Sequence, residues 1–324
     1  MIIACFAIAL FYAFFNGFHD APTILAHMIS SRSIGPRAAL IFTGICEFIG
    51  AAYLYKFVLK TMSFQAVANS FCADTESTLI AKFVLITLLT ALAFNIATWY
   101  LGLPSSSTHA LFGAMTGTAL AFGGFGDMLI DRLLPIFVIL FASAFLGFLL
   151  SLAMTKIIYK TDVSFSFGSR FSKLFNVIMG GTFALFHGAN DAPKSLGLFV
   201  FAALSLGITS GQTYPYAILF ALAMSLGVMF GENRILKTIG RRLFKIEPVQ
   251  ALGASSSSSL LLALSTFAGF PVSSTQILTG GICGAGAAKN FACVRWVIVW
   301  EIVVSWLVTL PACMAVAYIA ARLV

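Results

Sequence analysis

Two motifs, each present twice and each set inside strongly apolar sequence, constrain this chain more than any other feature. The first reads Phe15-Asn16-Gly17-Phe18-His19-Asp20-Ala21-Pro22 and returns as Phe186-His187-Gly188-Ala189-Asn190-Asp191-Ala192-Pro193. The second reads Gly102-Leu103-Pro104-Ser105-Ser106-Ser107-Thr108-His109 and returns as Gly269-Phe270-Pro271-Val272-Ser273-Ser274-Thr275-Gln276. Interrupted hydrophobic segments at matching places in two halves point to internal structural repeats with a binding site at their junction, the sequence pattern of a secondary transporter.

The stretches around the motifs are too apolar for a water-soluble domain. The chain is 60% hydrophobic and 9% charged, against about 25% charged residues in soluble domains. Apolar runs cover roughly residues 1–28, 38–58, 80–102, 107–125, 134–158, 174–208, 214–231, 250–270, 274–287 and 295–320. They are continuous rather than alternating, which predicts helices over a barrel. The expected fold is an all-α polytopic membrane protein of two inverted repeats, residues 1–158 and 174–324, joined by a cytoplasmic linker at 159–173. Each repeat is expected to hold a broken helix and a helical hairpin with a Pro-Ser-rich tip. The first helix lacks a basic leader and carries the Asp20 motif, which argues against a signal peptide. Six cysteines without Cys-x-x-Cys spacing read as packing residues.

Basic residues orient the chain. With the N-terminus outside, Arg32, Arg37, Lys156, Lys160, Arg170, Lys173, Arg234, Lys237, Arg241, Arg242, Lys245, Lys289 and Arg295 fall inside. Lys56, Lys60, Lys82, Arg132 and Arg322 fall outside, and Lys194 lies within the membrane. Both termini are then periplasmic, in an inner membrane. The first hairpin opens outward and the second inward, so the halves are inverted. The net charge of +8 is spread over short loops, which sets orientation rather than marking a nucleic-acid partner.

The motifs carry oxyanion chemistry. Proline followed by hydroxyl residues and an apolar run predicts a helix start, capped by the hydroxyls, with proline in the first turn. A helix start offers free N–H donors and partial positive charge to an anion. Two such starts, Ser105 to Thr108 and Ser273 to Thr275, can close around one tetrahedral anion. Asp20 and Asp191 are carboxylates deep in membrane segments and are functional candidates by default. Their repulsion of an anion is lifted if sodium or a proton binds first, which couples the two ligands. Asn190 offers a neutral oxygen, so a sodium site is expected at Asp20, Asn190 and Asp191. The halves differ where His19 replaces Asn190, His109 replaces Gln276 and Lys194 replaces Thr23. His19 hints at proton coupling. Lys194 either neutralises Asp191, contacts the anion or snorkels to an interface. Glu47, Asn95 and Glu301 read as pairing or packing residues, and Ser255 to Ser259 as a helix contact face.

These motifs resemble the inorganic phosphate transporter (PiT) family in its bacterial branch. His187-Gly188-Ala189-Asn190-Asp191 matches the family's Gly-Ala-Asn-Asp signature, and Asn16-Gly17-Phe18-His19-Asp20 looks like its Asn-Gly-Trp-His-Asp version. Thr98 to His109, Pro248-Val249-Gln250, Pro271 to Thr275 and Val308 to Ala312 are similar to further family segments. The resemblance implies cation-coupled phosphate uptake, inverted repeats with two hairpins, and a homodimer. By motif it gives substrate and cation roles to Asp20, Asp191, Asn190, Ser105, Ser106, Ser107, Thr108, Ser273, Ser274 and Thr275. Ser255 stands where the family usually has glutamate, and Gln276 where histidine is common.

The function expected is therefore phosphate import by proton or sodium symport, with Asp20, Asp191, Asn190, His19, Gln276 and Lys194 coupling the cation. Arsenate should be accepted with phosphate, because it shares geometry and protonation. Beyond the coupling cation and the lipid bilayer, no cofactor is expected. A sulfate permease is the nearest alternative, and it fits less well because sulfate has no proton to donate to an aspartate. An anion channel needs no coupled cation. An intramembrane hydrolase built on Ser107 and His109 lacks a nucleophile turn, and no enzymatic activity is expected.

Overall fold

The computed structural model describes residues 1–64, 77–102, 105–160, 170–208, 213–231 and 246–324. Among them the secondary structure is helical throughout. The helices are α1 (Ile2–Ser30), α2 (Pro36–Tyr53), α3 (Lys56–Met62), α4 (Ser77–Leu101), α5 (Ser107–Ala121), α6 (Gly124–Lys160), α7 (Arg170–Ser205), α8 (Thr213–Met229), α9 (Pro248–Phe267), α10 (Ser274–Lys289) and α11 (Trp296–Leu323). Four segments are long and apolar enough to cross a membrane: Ile2–Ser30, Thr78–Leu101, Leu133–Lys160 and Trp296–Leu323. Helices α2 and α3, bent by 65° at the break between them, qualify together as a fifth. Outward faces expose Ile41, Ile45 and Ile49 on α2 and Leu134, Val138 and Phe145 on α6. Contiguous apolar surface of this kind suits lipid and not water.

One expectation is corrected. The Asp20 and Asp191 motifs were expected to break their helices, yet α1 and α7 run on through Pro22 and Pro193. Proline removes one N–H and crowds the preceding turn, but neighbouring helices can hold a spanning helix together across that defect. Here α8 packs along α1 and α2 along α7. Gly17 and Gly188, each three residues before its aspartate, admit the Met224 and Glu47 carbonyls into direct contact.

The breaks fall in the hairpins α4–α5 and α9–α10. Gly102 and Gly269 end the first arm of each with positive φ, +67° and +78°, the left-handed conformation glycine supplies at a helix C-terminus. Ser106 and Ser273 cap the second arms, accepting from the His109 and Gln276 amides. Pro271 therefore precedes the cap by two residues instead of entering the first turn. Pro104, the matching residue of the first tip, lies outside the described residues, as do Asp74, Glu76 and the basic residues between Arg234 and Lys245.

Contacts recur in pairs across the two halves. Helix α1 packs on α8 as α7 packs on α2, and α5 packs on α11 as α10 packs on α6. Gly113 and Gly117 abut the Leu310 and Met314 carbonyls, while Gly280 and Gly284 abut those of Ala144 and Phe148. Small residues four apart let helices approach closely in lipid, where packing replaces the hydrophobic effect as the driving force. The serine run on α9 is likewise a contact face: Ser258 donates to the Ile277 carbonyl of α10 and Ser259 to the Met179 carbonyl of α7.

Candidate functional site

The two hairpins meet tip to tip. Ser106 Oγ and Ser273 Oγ, the two N-caps, lie 2.8 Å apart, so the starts of α5 and α10 converge on one point. Ser105, Ser106, Ser107, Thr108, Ser273, Ser274 and Thr275 are all buried there. Thr108 Oγ1 donates across the junction to the Val272 carbonyl (3.4 Å), and Thr275 Oγ1 lies 3.1 Å from Ser273 Oγ. Tyr12 of α1 donates to the Ser107 carbonyl (3.1 Å).

Beneath the tips, α1 and α7 bring Asp20 and Asp191 to a common group. Ser107 Oγ donates to Asp20 Oδ2 (3.1 Å), and His19 Nδ1 lies 2.8 Å from Asp20 Oδ1. His187 bridges the aspartates: its Nε2 is 3.6 Å from Asp20 Oδ2 and 3.8 Å from Asp191 Oδ2. Its Nδ1 is 2.6 Å from Glu47 Oε1 of α2. Asn16 Nδ2 donates to Asp191 Oδ2 (3.3 Å). Three buried carboxylates thus face one lysine and two histidines. Such a cluster persists in a low-dielectric interior only where each charge is paired or hydrogen-bonded.

Lys194 does not snorkel. It is buried, and its ammonium donates to Asp191 Oδ1 (2.8 Å), Thr108 Oγ1 (2.8 Å) and the Val272 carbonyl (2.7 Å). Its three donors are all used, and its charge lies at the meeting of both tips.

Some expected residues stand elsewhere. Asn190 turns from the aspartates to the second tip, donating to Thr266 Oγ1 (3.2 Å) and the Phe270 carbonyl (3.0 Å) and accepting from the Val272 amide (3.1 Å). His19 stays on Asp20 through Nδ1 and reaches the first hairpin through Nε2, 3.4 Å from both Thr98 Oγ1 and Ser105 Oγ. Gln276 lines an apolar cavity of about 400 Å³ with Phe141, Phe148 and Trp306, and its side-chain oxygen has no hydrogen-bond partner among the described residues. Its counterpart His109 holds Ser106 Oγ at 2.9 Å and packs edge-on against Phe141. Glu301 is exposed. Asn95 is buried beside Tyr12.

Sequence reasoning gave no role to Asn16 or His187 beyond their place in the motifs, and expected Glu47 only to pair. A signal was available. Asn16 and His187 each stand four residues before an aspartate, on the same helical face one turn away. Each reaches across to the other half's aspartate.

The cluster can hold a cation. Asp20, His187 and Asp191 offer ligand atoms within 4.8 Å of one another. Asn16 Oδ1, buried at the same place, has no hydrogen-bond partner among the described residues. Hard cations take such carboxylate and amide oxygens.

Fold and site together define a multi-pass helical membrane transporter with a polar centre built where two hairpin tips and two acid-bearing helices meet. The chain belongs to the phosphate transporter family, whose description matches residues 16–317. It is 32% identical over 333 residues to a Rhizobium meliloti protein named "Probable low-affinity inorganic phosphate transporter", covering 100% of this chain and 97% of that one. A Bacillus subtilis protein of the same name is 31% identical over 317 residues, covering 96% and 92%. The solved structure described as "The sodium-dependent phosphate transporter" shares the fold, with a TM-score of 0.81 over 99% of this chain and 98% of that one, at 20% identity. None of these supports the sulfate alternative.

Proposed function

We propose that this protein imports inorganic phosphate by cation symport, with alternating access to the centre where the hairpin tips meet. The observation that carries the reading is the contact of Ser106 with Ser273 directly above a lysine-paired acid cluster. Helix N-termini and hydroxyls donate to a tetrahedral oxyanion without adding fixed charge. A phosphate bound here takes the place of the serine–serine bond, accepting from Ser105 to Thr108 on one side and Ser273 to Thr275 on the other. Arsenate follows the same route.

The coupling cation sits between Asp20 and Asp191 and lowers the repulsion the anion meets there. For sodium, the best oxygen set is Asp20, Asp191 and Asn16 Oδ1. Asn190 is set aside as a sodium ligand, because its side-chain oxygen is engaged by the Val272 amide. Asn190 and His19 instead tie the tips to the acid-bearing helices, so occupancy of the cluster is felt at the anion site. The recurring contact pairs support division into two repeats at 1–158 and 174–324, and the distribution of basic residues supports their inversion with both termini on the outer side. An inverted pair can exchange conformations and so face each side in turn.

The test is uptake of radiolabelled phosphate into proteoliposomes, with sodium and pH gradients imposed separately and sulfate as competitor. Asp20→Asn is expected to reduce uptake to the background of empty vesicles under either gradient. Gradient-driven accumulation by that variant, or equal competition by sulfate, sinks the proposal.

A further inference from the structure

His27 is a buried titratable group that the site does not use. Both of its ring nitrogens are buried without a hydrogen-bond partner among the described residues. Seven residues separate it from Asp20 on α1, about two turns along the same face. On α7, Gly180 precedes His187 by the same seven residues, and a Cβ there would lie 2.9 Å from His27 Nε2. The imidazole shares the space that Gly180 leaves with the Met28 side chain, whose sulfur lies nearer still, in a layer roughly 10 Å from the aspartates toward the α1 C-terminus. Thr43 of α2 belongs to this layer. It lies one turn before Glu47, in the stretch whose Phe42 and Cys46 pack on Gly181, and its hydroxyl too is buried without a partner among the described residues.

The opposite side of the cluster is built differently. Counting seven residues on from Asp191 gives Leu198. Gly50 abuts the Leu185 carbonyl and Gly227 the Phe14 carbonyl, each six residues before its half's aspartate, a correspondence that maps Thr43 onto Phe220. Leu198 and Phe220 are buried in the largest apolar cluster. Imidazole nitrogens and hydroxyls left unbonded in an interior cost stability that leucine and phenylalanine would not. A polar layer on one side only has a use if a polar species crosses it.

We propose that His27 is a second, transit site for the phosphate oxyanion, through which it passes between the hairpin-tip site and the face at the α1 C-terminus. An imidazole N–H and the Thr43 hydroxyl donate to the anion there, one helical turn along α2 from Glu47 of the cluster. The basic Arg32 and Arg37 just beyond α1 draw the anion onward. The inference rests on the phosphate reading above and adds the path and its residue.

The test separates binding from passage. His27→Leu, which copies the opposite side, is expected to bind radiolabelled phosphate in nanodiscs within about twofold of the parent and to slow uptake about tenfold, the effect of one hydrogen bond lost from the barrier. His27→Gln, which keeps a donor, is expected to recover most of the rate. In a cysteine-free background His27→Cys should react with a charged thiol reagent added on the α1 C-terminal side, and saturating phosphate should slow that reaction. Uptake by His27→Leu at the parent rate overturns the inference while leaving the function intact. So does a His27→Cys that reacts equally with and without phosphate, which also decides the matter if His27→Leu fails to fold. A parent that takes up no phosphate refutes the underlying function instead.

Discussion

Asp20 and Asp191 hold the same register in their halves and keep different company. Asp191 is paired to an ammonium at 2.8 Å and receives an amide from Asn16. Asp20 has no lysine, since Thr23 stands at that place, and it is held by His19, His187 and the Ser107 hydroxyl. A lysine compensates a carboxylate permanently, whereas imidazoles and hydroxyls change donor and acceptor roles as a ligand arrives. The comparison teaches that one duplicated geometry supports two electrostatic arrangements. On the proposed function, Asp191 is neutralised from within and Asp20 by the cation that drives transport.

The sharpest way to break this comparison is Lys194→Thr, which makes the second half copy the first. It strands Asp191 and removes the donor to Thr108 and Val272. Removing one partner of a buried pair costs about 3–5 kcal/mol, so a large fall in thermal stability in detergent is expected. Supplying the coupling cation should restore part of it, and the cation dependence of uptake should steepen. A variant with the parent's stability and the parent's cation slope would show that the two carboxylates are not divided in this way.

Much of this arrangement is legible in the amino-acid sequence. The apolar runs 80–102 and 174–208 became Ser77–Leu101 and Arg170–Ser205, because burial in lipid is written directly into composition. The hairpin tips were legible because glycine, proline and hydroxyl residues each have a local reason to stop or start a helix. Partner choice was not. The motif pattern points to Asn190 as the neutral oxygen beside the aspartates, whereas in the structure Asn16 bonds Asp191 and Asn190 bonds the second tip. Asn16 meets Asp191 across 175 positions of chain, and hydropathy reports that a residue is buried without reporting which way it faces. The helices also survive their prolines, because the support comes from α2 and α8, distant in sequence and invisible to local rules.

The caps offer a finer comparison between the halves. Ser106→Ala and Ser273→Ala each remove an N-cap, at about 1 kcal/mol apiece, together with their shared hydrogen bond. If the tips are equivalent, the two losses in stability should agree and the double variant should cost less than their sum, since either change alone already breaks the common bond. Phosphate affinity should fall in both. Strict additivity would mean that the serines do not act as one junction.

The smallest expected effect lies at the base of the second hairpin, where Lys289 meets Glu247 at 2.7 Å. Glu247 also accepts from its helix start in a capping box with Gln250. In the first half Lys82 donates instead to the Val324 carbonyl oxygen (3.3 Å). The hydrogen bond to Glu247 raises the Lys289 pKa above its ordinary value. A raised lysine pKa means that the pair's contribution is fully present at neutral pH, below the unfolded lysine value, and is lost as pH climbs through the folded one. Both side chains are about two-fifths exposed, so the pair is screened and worth at most about 1 kcal/mol. Lys289→Ala should therefore lower thermal stability slightly at pH 7 in low salt and have no effect in high salt or above the lysine range. A loss as large as that of Lys194→Thr would mean that this surface pair, and not the buried one, holds the second hairpin in place.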